Sequence, residues 1–144
     1  MTSEFELLPY RGASPIHFNM CVADVEATLG PPDNVSENSL GERDEARGSI
    51  GIRYSSDDGY VAEIALMSDS SLFFKGKDLL ADPPPLAFLL QCDPQPLEFL
   101  GFLVFLKLGI TTTGFHDNDA AQKALTIFRQ GRWNDYADHF VPYK

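Results

Sequence analysis

The chain has 144 residues, 44% of them hydrophobic and 12% aromatic, with 21 acidic against 11 basic residues and a formal charge of −10. That apolar content excludes an intrinsically disordered polypeptide, and the length suits one domain spanning 1–144 with a single core or two fused half-cores. A pI near 4.5 excludes the basic footprint that nucleic acids and anionic membranes require.

The acidity is unevenly distributed. Residues 1–72 contain four basic side chains (Arg11, Arg43, Arg47 and Arg53) against thirteen carboxylates, whereas residues 73–144 are nearly balanced, with seven bases and eight acids. The first thirty residues hold one base and no continuous apolar stretch, unlike a secretory or transit peptide, so a cytoplasmic protein is expected. The longest apolar run, Phe99 to Leu106, is broken at Gly101 and falls far short of the roughly 20 residues needed to span a bilayer. It reads as a buried element. Cys21 and Cys92 form no CxxC pair and read as two reduced, mostly buried thiols.

In chain order, Phe5, Leu7 and Leu8 suggest a short edge strand before the turn region between Pro9 and Pro15. Val22, Val25 and Leu29 form one stripe of a helix, with Asp24 and Glu26 early in it and Gly30-Pro31-Pro32 as its stop. From Asp33 to Gly48 the chain is polar, with no apolar period of either kind. It reads as a long, exposed acidic loop. Ile50, Ile52 and Tyr54 alternate with Gly51 and Arg53, and after Ser-Ser-Asp-Asp-Gly the run Tyr60 to Met67 completes a β-hairpin with Asp-Gly turn chemistry. Ser71 to Lys75 is expected to be a third strand, broken by Gly76.

Pro83-Pro84-Pro85 opens a second helix, Leu86 to Gln91, apolar enough to be largely buried, with Asp93-Pro94 as its stop. Phe102 to Leu106 and Gly109 to Phe115 read as another strand pair with a break near Lys107. In Asp119 to Arg129 the alanines favour helix and Leu125 to Phe128 favours strand; a strand would complete the pattern of the first half. Trp133, Tyr136, Phe140 and Tyr143 form an aromatic tail expected to pack on the sheet.

The pattern of a short helix followed by short strands occurs twice, over halves of about 1–80 and 81–144, and predicts an α+β fold: an antiparallel sheet with short helices packed on one face. Phe18-Asn-Met-Cys-Val-Ala-Asp-Val25, closing with Leu29-Gly-Pro-Pro-Asp33, resembles the opening helix of small bacterial proteins of the β-lactamase-inhibitor-protein-like class. Phe105-Leu-Lys-Leu-Gly-Ile110, Lys123-Ala-Leu-Thr-Ile-Phe128 and Gly131-Arg-Trp133 look like the second half of small immunity proteins encoded beside bacterial toxins. The resemblance covers about two-thirds of the chain and implies tandem helix-plus-strands units and a cognate toxin as partner. Cys21 departs from it, standing where such helices usually carry a Ser or Thr cap, which puts the first turn's hydrogen bonding in question.

His116-Asp-Asn-Asp119 is the one stretch with metal-ligating or acid-base character, but its spacing matches no calcium loop. A polar turn between strands explains the same residues and is the favoured reading; the alternative is a small metal-dependent hydrolase using this segment. A non-catalytic ligand-binding or assembly module is the other alternative. His17 and His139 lie near aromatic residues and read as packing or surface histidines. No nucleophile elbow or phosphate loop is present, so neither a catalytic residue nor a cofactor is assigned. The leading expectation is a protein-binding inhibitor with a basic toxin domain as its client. Glu37, Glu42, Asp44, Glu45, Asp57, Asp58 and Glu63 are the candidate docking carboxylates, with Arg53 and Glu63 paired across the hairpin.

Overall fold

The computed structural model describes residues 4–67, 69–81, 84–114 and 123–143. Among these residues the architecture is α+β, with two sheets and two short α-helices around one continuous hydrophobic cluster. The chain opens with β1 (Glu4–Leu8), β2 (Gly12–Ser14) and β3 (Ile16–His17), followed by α1 (Val22–Leu29). β1 is not the edge strand expected. It pairs antiparallel with β2 and parallel with β8 (Ser71–Phe74), so it lies inside a five-stranded sheet that β9 (Lys77–Asp78) completes.

Helix α1 forms where its apolar stripe requires it. Val25 is fully buried, Val22 and Leu29 pack beside it, and Gly30 ends the helix at φ 85°, a left-handed conformation that glycine tolerates. Cys21 does not leave the first turn uncapped, because the Asp24 carboxylate accepts hydrogen bonds from the Cys21 backbone N–H (3.1 Å) and thiol (3.3 Å). Both cysteines are free and half-buried.

The segment read as an acidic loop is a hairpin. β4 (Asn34–Glu37) and β5 (Arg43–Arg47) pair in antiparallel register around a turn in which Asn38 Oδ1 accepts from the Leu40 and Glu42 N–H groups. The next hairpin, β6 (Ile50–Tyr54) and β7 (Val61–Met67), follows the expected pattern, as does β8, although β8 joins the smaller sheet.

Helix α2 (Leu86–Cys92) starts after the prolines, but only Leu89 in it is fully buried. β10 (Leu97–Phe99) and β11 (Phe102–Phe105) turn at Leu100-Gly101, where Leu100 is 80% exposed, so the long apolar run is a hairpin whose tip faces solvent. β12 (Ile110–Thr113) and β13 (Ala124–Phe128) follow, the latter a strand as the pattern of the first half predicts. After a 3-10 helix (Asn134–His139), β14 (Val141–Pro142) pairs with β10, and Phe140 meets Phe99 edge-on at 5.3 Å.

The nine strands of the larger sheet lie in the order β14-β10-β11-β12-β13-β7-β6-β5-β4. A helix followed by four strands occurs once on each side of the β13–β7 junction, where the fourth strands pair antiparallel. One face is apolar. Ile52, Ile64, Ile127, Ile110 and Phe105 stand in register across five strands, each 1% exposed or less. At roughly 1.5–3 kcal/mol per buried side chain, such rows dominate the energetics of the sheet. The core cluster also includes Val25, Leu89 and the β1–β3 residues Phe5, Leu7, Ala13 and Ile16, which places the helices and the small sheet against this apolar face.

Candidate functional site

The opposite face of the nine-stranded sheet carries small side chains at its centre. Ala46, Gly51, Ala65, Thr126 and Thr111 stand in register across β5, β6, β7, β13 and β12. Side chains two residues apart on a strand share a face, so the neighbouring row on this side is Asp44, Arg53, Glu63 and Phe128. Short side chains beside long ones leave a depression. The result is a groove of about 450 Å³, floored by the small row and walled by Asp44, Arg53, Glu63, Phe102 and Trp133.

The polar wall is an ion-pair chain. Arg53 grips Asp44 through Nε (2.7 Å) and Nη2 (3.2 Å) and lies 3.7 Å from Glu63, its partner across the hairpin. Arg132, just beyond Gly131, donates from Nε to Glu63 (2.6 Å) and from both terminal nitrogens to Glu42. Asn38 Nδ2 donates to the same Glu42 carboxylate at 2.9 Å. Hydrogen bonding from Arg132 is the main reason the Glu42 carboxyl is lowered to about 2, against the opposing effect of burial. In return, the carboxylates raise Arg132 and Arg53 above the usual guanidinium range. A second cavity of about 210 Å³ lies on the other side of this chain, with Asn38, Leu40, Glu42 and Arg132 in its lining; Arg53, Glu63 and Trp133 line both cavities.

Aromatic rings buttress the end of the groove. Trp133 meets Phe128 edge-on at 6.3 Å, and Phe128 meets Tyr10 edge-on at 5.8 Å. Burial and, to a lesser degree, Asp93 push the Tyr10 phenol above its ordinary range.

The seven candidate carboxylates do not form one exposed acidic edge. Glu42 is 4% exposed and Glu45 2% exposed, which corrects the expectation that the Asp33–Gly48 segment lies free in solvent. The reason is charge pairing. Glu45 points to the core side of β5, where it accepts from Arg43 Nε (2.7 Å), Arg47 Nη1 (2.7 Å) and the Tyr54 hydroxyl (2.8 Å). Burial opposes ionisation of Glu45, but the three donors outweigh it and hold the carboxyl below its ordinary range; burial and the bond to Glu45 push the Tyr54 phenol well upward. Arg47 ties this cluster to α1 by donating from Nε to the Gly30 carbonyl at 2.9 Å.

Asp44 and Glu63 are half-buried in the groove wall, while Glu37, Asp57 and Asp58 are exposed. Asp58 accepts from Arg129 (2.9 Å) across the end of the sheet. Sequence reasoning missed Arg132 and the small-residue floor. The available signal was the period-two alternation that sets Gly51 and Arg53 against buried Ile50, Ile52 and Tyr54, which marks an open face on β6. His116, Asp117, Asn118 and Asp119 lie outside the described residues. His139 packs on Phe99 at 6.3 Å, and His17 lines a separate concavity with Tyr10 and Arg11.

Chemically, the site consists of ionised carboxylates held by guanidinium groups beside an apolar, aromatic-walled depression. Such carboxylates serve as hydrogen-bond acceptors and ion-pair partners, which is the equipment of a binding surface. Among the described residues, no group of three or more His, Cys, Asp or Glu side chains has a metal-binding arrangement, and no helix is long and apolar enough to cross a membrane. Comparisons of the chain with protein-family models, curated proteins and solved structures found no match.

Proposed function

We propose that this protein is a cytoplasmic, non-catalytic inhibitor of the toxin-immunity type, which occludes a basic toxin domain seated on the open face of its larger sheet. The observation that carries this reading is the groove itself. A nine-stranded sheet covers one face with helices and a second sheet, yet leaves the other with a depression rimmed by charged and aromatic side chains. Interfaces concentrate aromatic residues and arginine around a desolvated centre with a polar rim, which is the composition found here.

The distribution of charge supports a basic partner. The ion-pair chain sets three carboxylates (Glu42, Asp44 and Glu63) against two guanidinium groups (Arg53 and Arg132), Glu37 and Asp57 are exposed, and the protein carries a formal charge of −10. That negative charge steers encounter and raises the association rate, while contacts in the groove set the lifetime of the complex.

The test uses the full chain as bait in extracts of the source cell, with wild type and Gly51→Val compared and captured proteins identified by mass spectrometry. The reading expects a basic protein held by the wild type and lost by the variant, whose purified activity the wild type then suppresses. Equal capture by both proteins, or a captured partner whose activity is unaffected, contradicts it.

A further inference from the structure

The wall shared by the two cavities has an acceptor that no hydrogen bond among the described residues uses. Glu63 receives Arg132 on Oε2, and Arg53 approaches the same oxygen, whereas Oε1 has no hydrogen bond among the described residues. The Glu63 side chain is 13% exposed, and its residue lines the groove. Glu42 and Asp44, by contrast, have both oxygens engaged. Within the ion-pair chain itself, three carboxylates share two guanidinium groups, and the protein as a whole carries a formal charge of −10. Trp133 lines both sides of it, and Gly51 and Ala65 keep the adjacent floor low.

An open carboxylate oxygen, an indole and a low apolar floor at the same place fit one kind of side chain. Arginine offers a planar guanidinium that donates an N–H to the open carboxylate oxygen while stacking on an aromatic ring, and its three methylenes suit an apolar floor. Lysine matches the charge but not the planarity. A groove of about 450 Å³ is within the range that encloses an organic ligand of this size, roughly 300–1,000 Å³.

We infer that the groove is an arginine-specific anchor site, in which a partner's guanidinium donates to Glu63 Oε1 beside Trp133 while its methylene chain crosses Gly51 and Ala65. This rests on the reading of the open face as the docking surface and names the residue type that the face selects.

The test titrates the full-length, isotope-labelled protein with acetyl-arginine amide, acetyl-lysine amide and acetyl-norleucine amide, following amide and indole resonances at low and high salt. The inference expects saturable shifts clustered at Gly51, Ala65, Thr126 and the Trp133 indole, at least threefold tighter for the arginine compound than for lysine and absent for norleucine. Glu63→Gln is expected to weaken the arginine compound at least tenfold, and Gly51→Val to abolish the clustered shifts in a protein whose remaining spectrum is unchanged. Because Glu63→Gln also disturbs the Arg132 contact, Arg132→Lys serves as the second variant, and arginine binding is expected to persist in it. Shifts scattered over the acidic surface, equal affinity for the lysine compound, or unchanged affinity in Glu63→Gln overturns the inference. The two readings fail separately. If partner capture is lost in Gly51→Val but not in Glu63→Gln, the docking face stands and the arginine anchor is wrong; if capture survives both, the docking face itself is wrong.

Discussion

Arg132 and Glu42, ninety positions apart in sequence, meet as a fork on a carboxylate, with Arg132 Nη2 at 2.8 Å from Glu42 Oε1 and Nη1 on Oε2. The contact joins the segment beyond β13 to the turn of the outermost hairpin, so it ties the middle of the nine-stranded sheet to its edge. Glu42 is 4% exposed. Removing one member of a buried pair leaves the other charge uncompensated, at a cost of about 3–5 kcal/mol, whereas removing both often costs less.

Glu42→Gln is therefore expected to destabilise the fold by about 2–4 kcal/mol in urea unfolding. Arg132→Met is expected to fall in the same range. The double variant should lose less than the sum of the two, with a coupling of about 1–3 kcal/mol. Additive losses would show that the fork carries no energy of its own.

Acid should expose the same contact. The folded carboxyl of Glu42 titrates at about 2, below its ordinary 4.5, so its contribution is full above 4.5 and is lost as pH falls toward 2. Glu45 is shifted in the same direction and adds to the effect. Stability of the wild type is expected to fall steadily from pH 4.5 to 2, with a shallower slope in Glu42→Gln. At the alkaline end Tyr54, raised above its ordinary value of 10.0 by burial and its bond to Glu45, works in reverse: its contribution is full below pH 10 and declines as pH rises further. Identical acid slopes for the wild type and Glu42→Gln would contradict this assignment.

Gly51 and Gly12 should respond oppositely to an added side chain. A Cβ at Gly51 meets the Ala65 Cβ at 3.5 Å, an ordinary contact, and β-branched residues suit strands, so Gly51→Val is expected to change stability by less than about 1 kcal/mol while filling the groove. At Gly12 the backbone has φ 142°, and a Cβ would lie 2.3 Å from the Ile16 carbonyl oxygen and 2.8 Å from the His17 Cα. Gly12→Ala is expected to cost at least about 2 kcal/mol, since backbone must move to admit it. Thermal unfolding of the two variants separates these outcomes.

Leu89 is the one fully buried residue of α2 and belongs to the shared core cluster. Leu89→Ala is expected to cost about 2–5 kcal/mol as cavity and transfer effects add. A loss below about 1 kcal/mol would mean that α2 hardly depends on this contact.

The parts of the fold legible in the sequence are those in which one side-chain period dominates. Val22, Val25 and Leu29 with the Gly30 stop mark α1, and Ile50, Ile52 and Tyr54 facing Ile64 and Leu66 mark the hairpin. The β4–β5 hairpin was illegible because its inward side is not apolar. Glu45 and Arg47 occupy buried positions as a hydrogen-bonded, ion-paired set with Arg43 and Tyr54. A reading that counts only hydrophobic alternation takes such a strand for a loop. The alternating signs in Arg43-Asp44-Glu45-Ala46-Arg47 were the available trace of it. Individual carboxylates of the groove wall were legible, but the wall was not, because Arg132 reaches it only through the tertiary arrangement that places β13 beside β7.

The account depends most on the groove being the surface that holds the partner, and affinity for the captured partner measured by titration calorimetry tests this directly. Gly51→Val is expected to bind at least 100-fold more weakly than the wild type while melting within about 2 °C of it. Equal affinity of the two proteins, with melting unchanged, would place the partner elsewhere on the molecule and contradict the account.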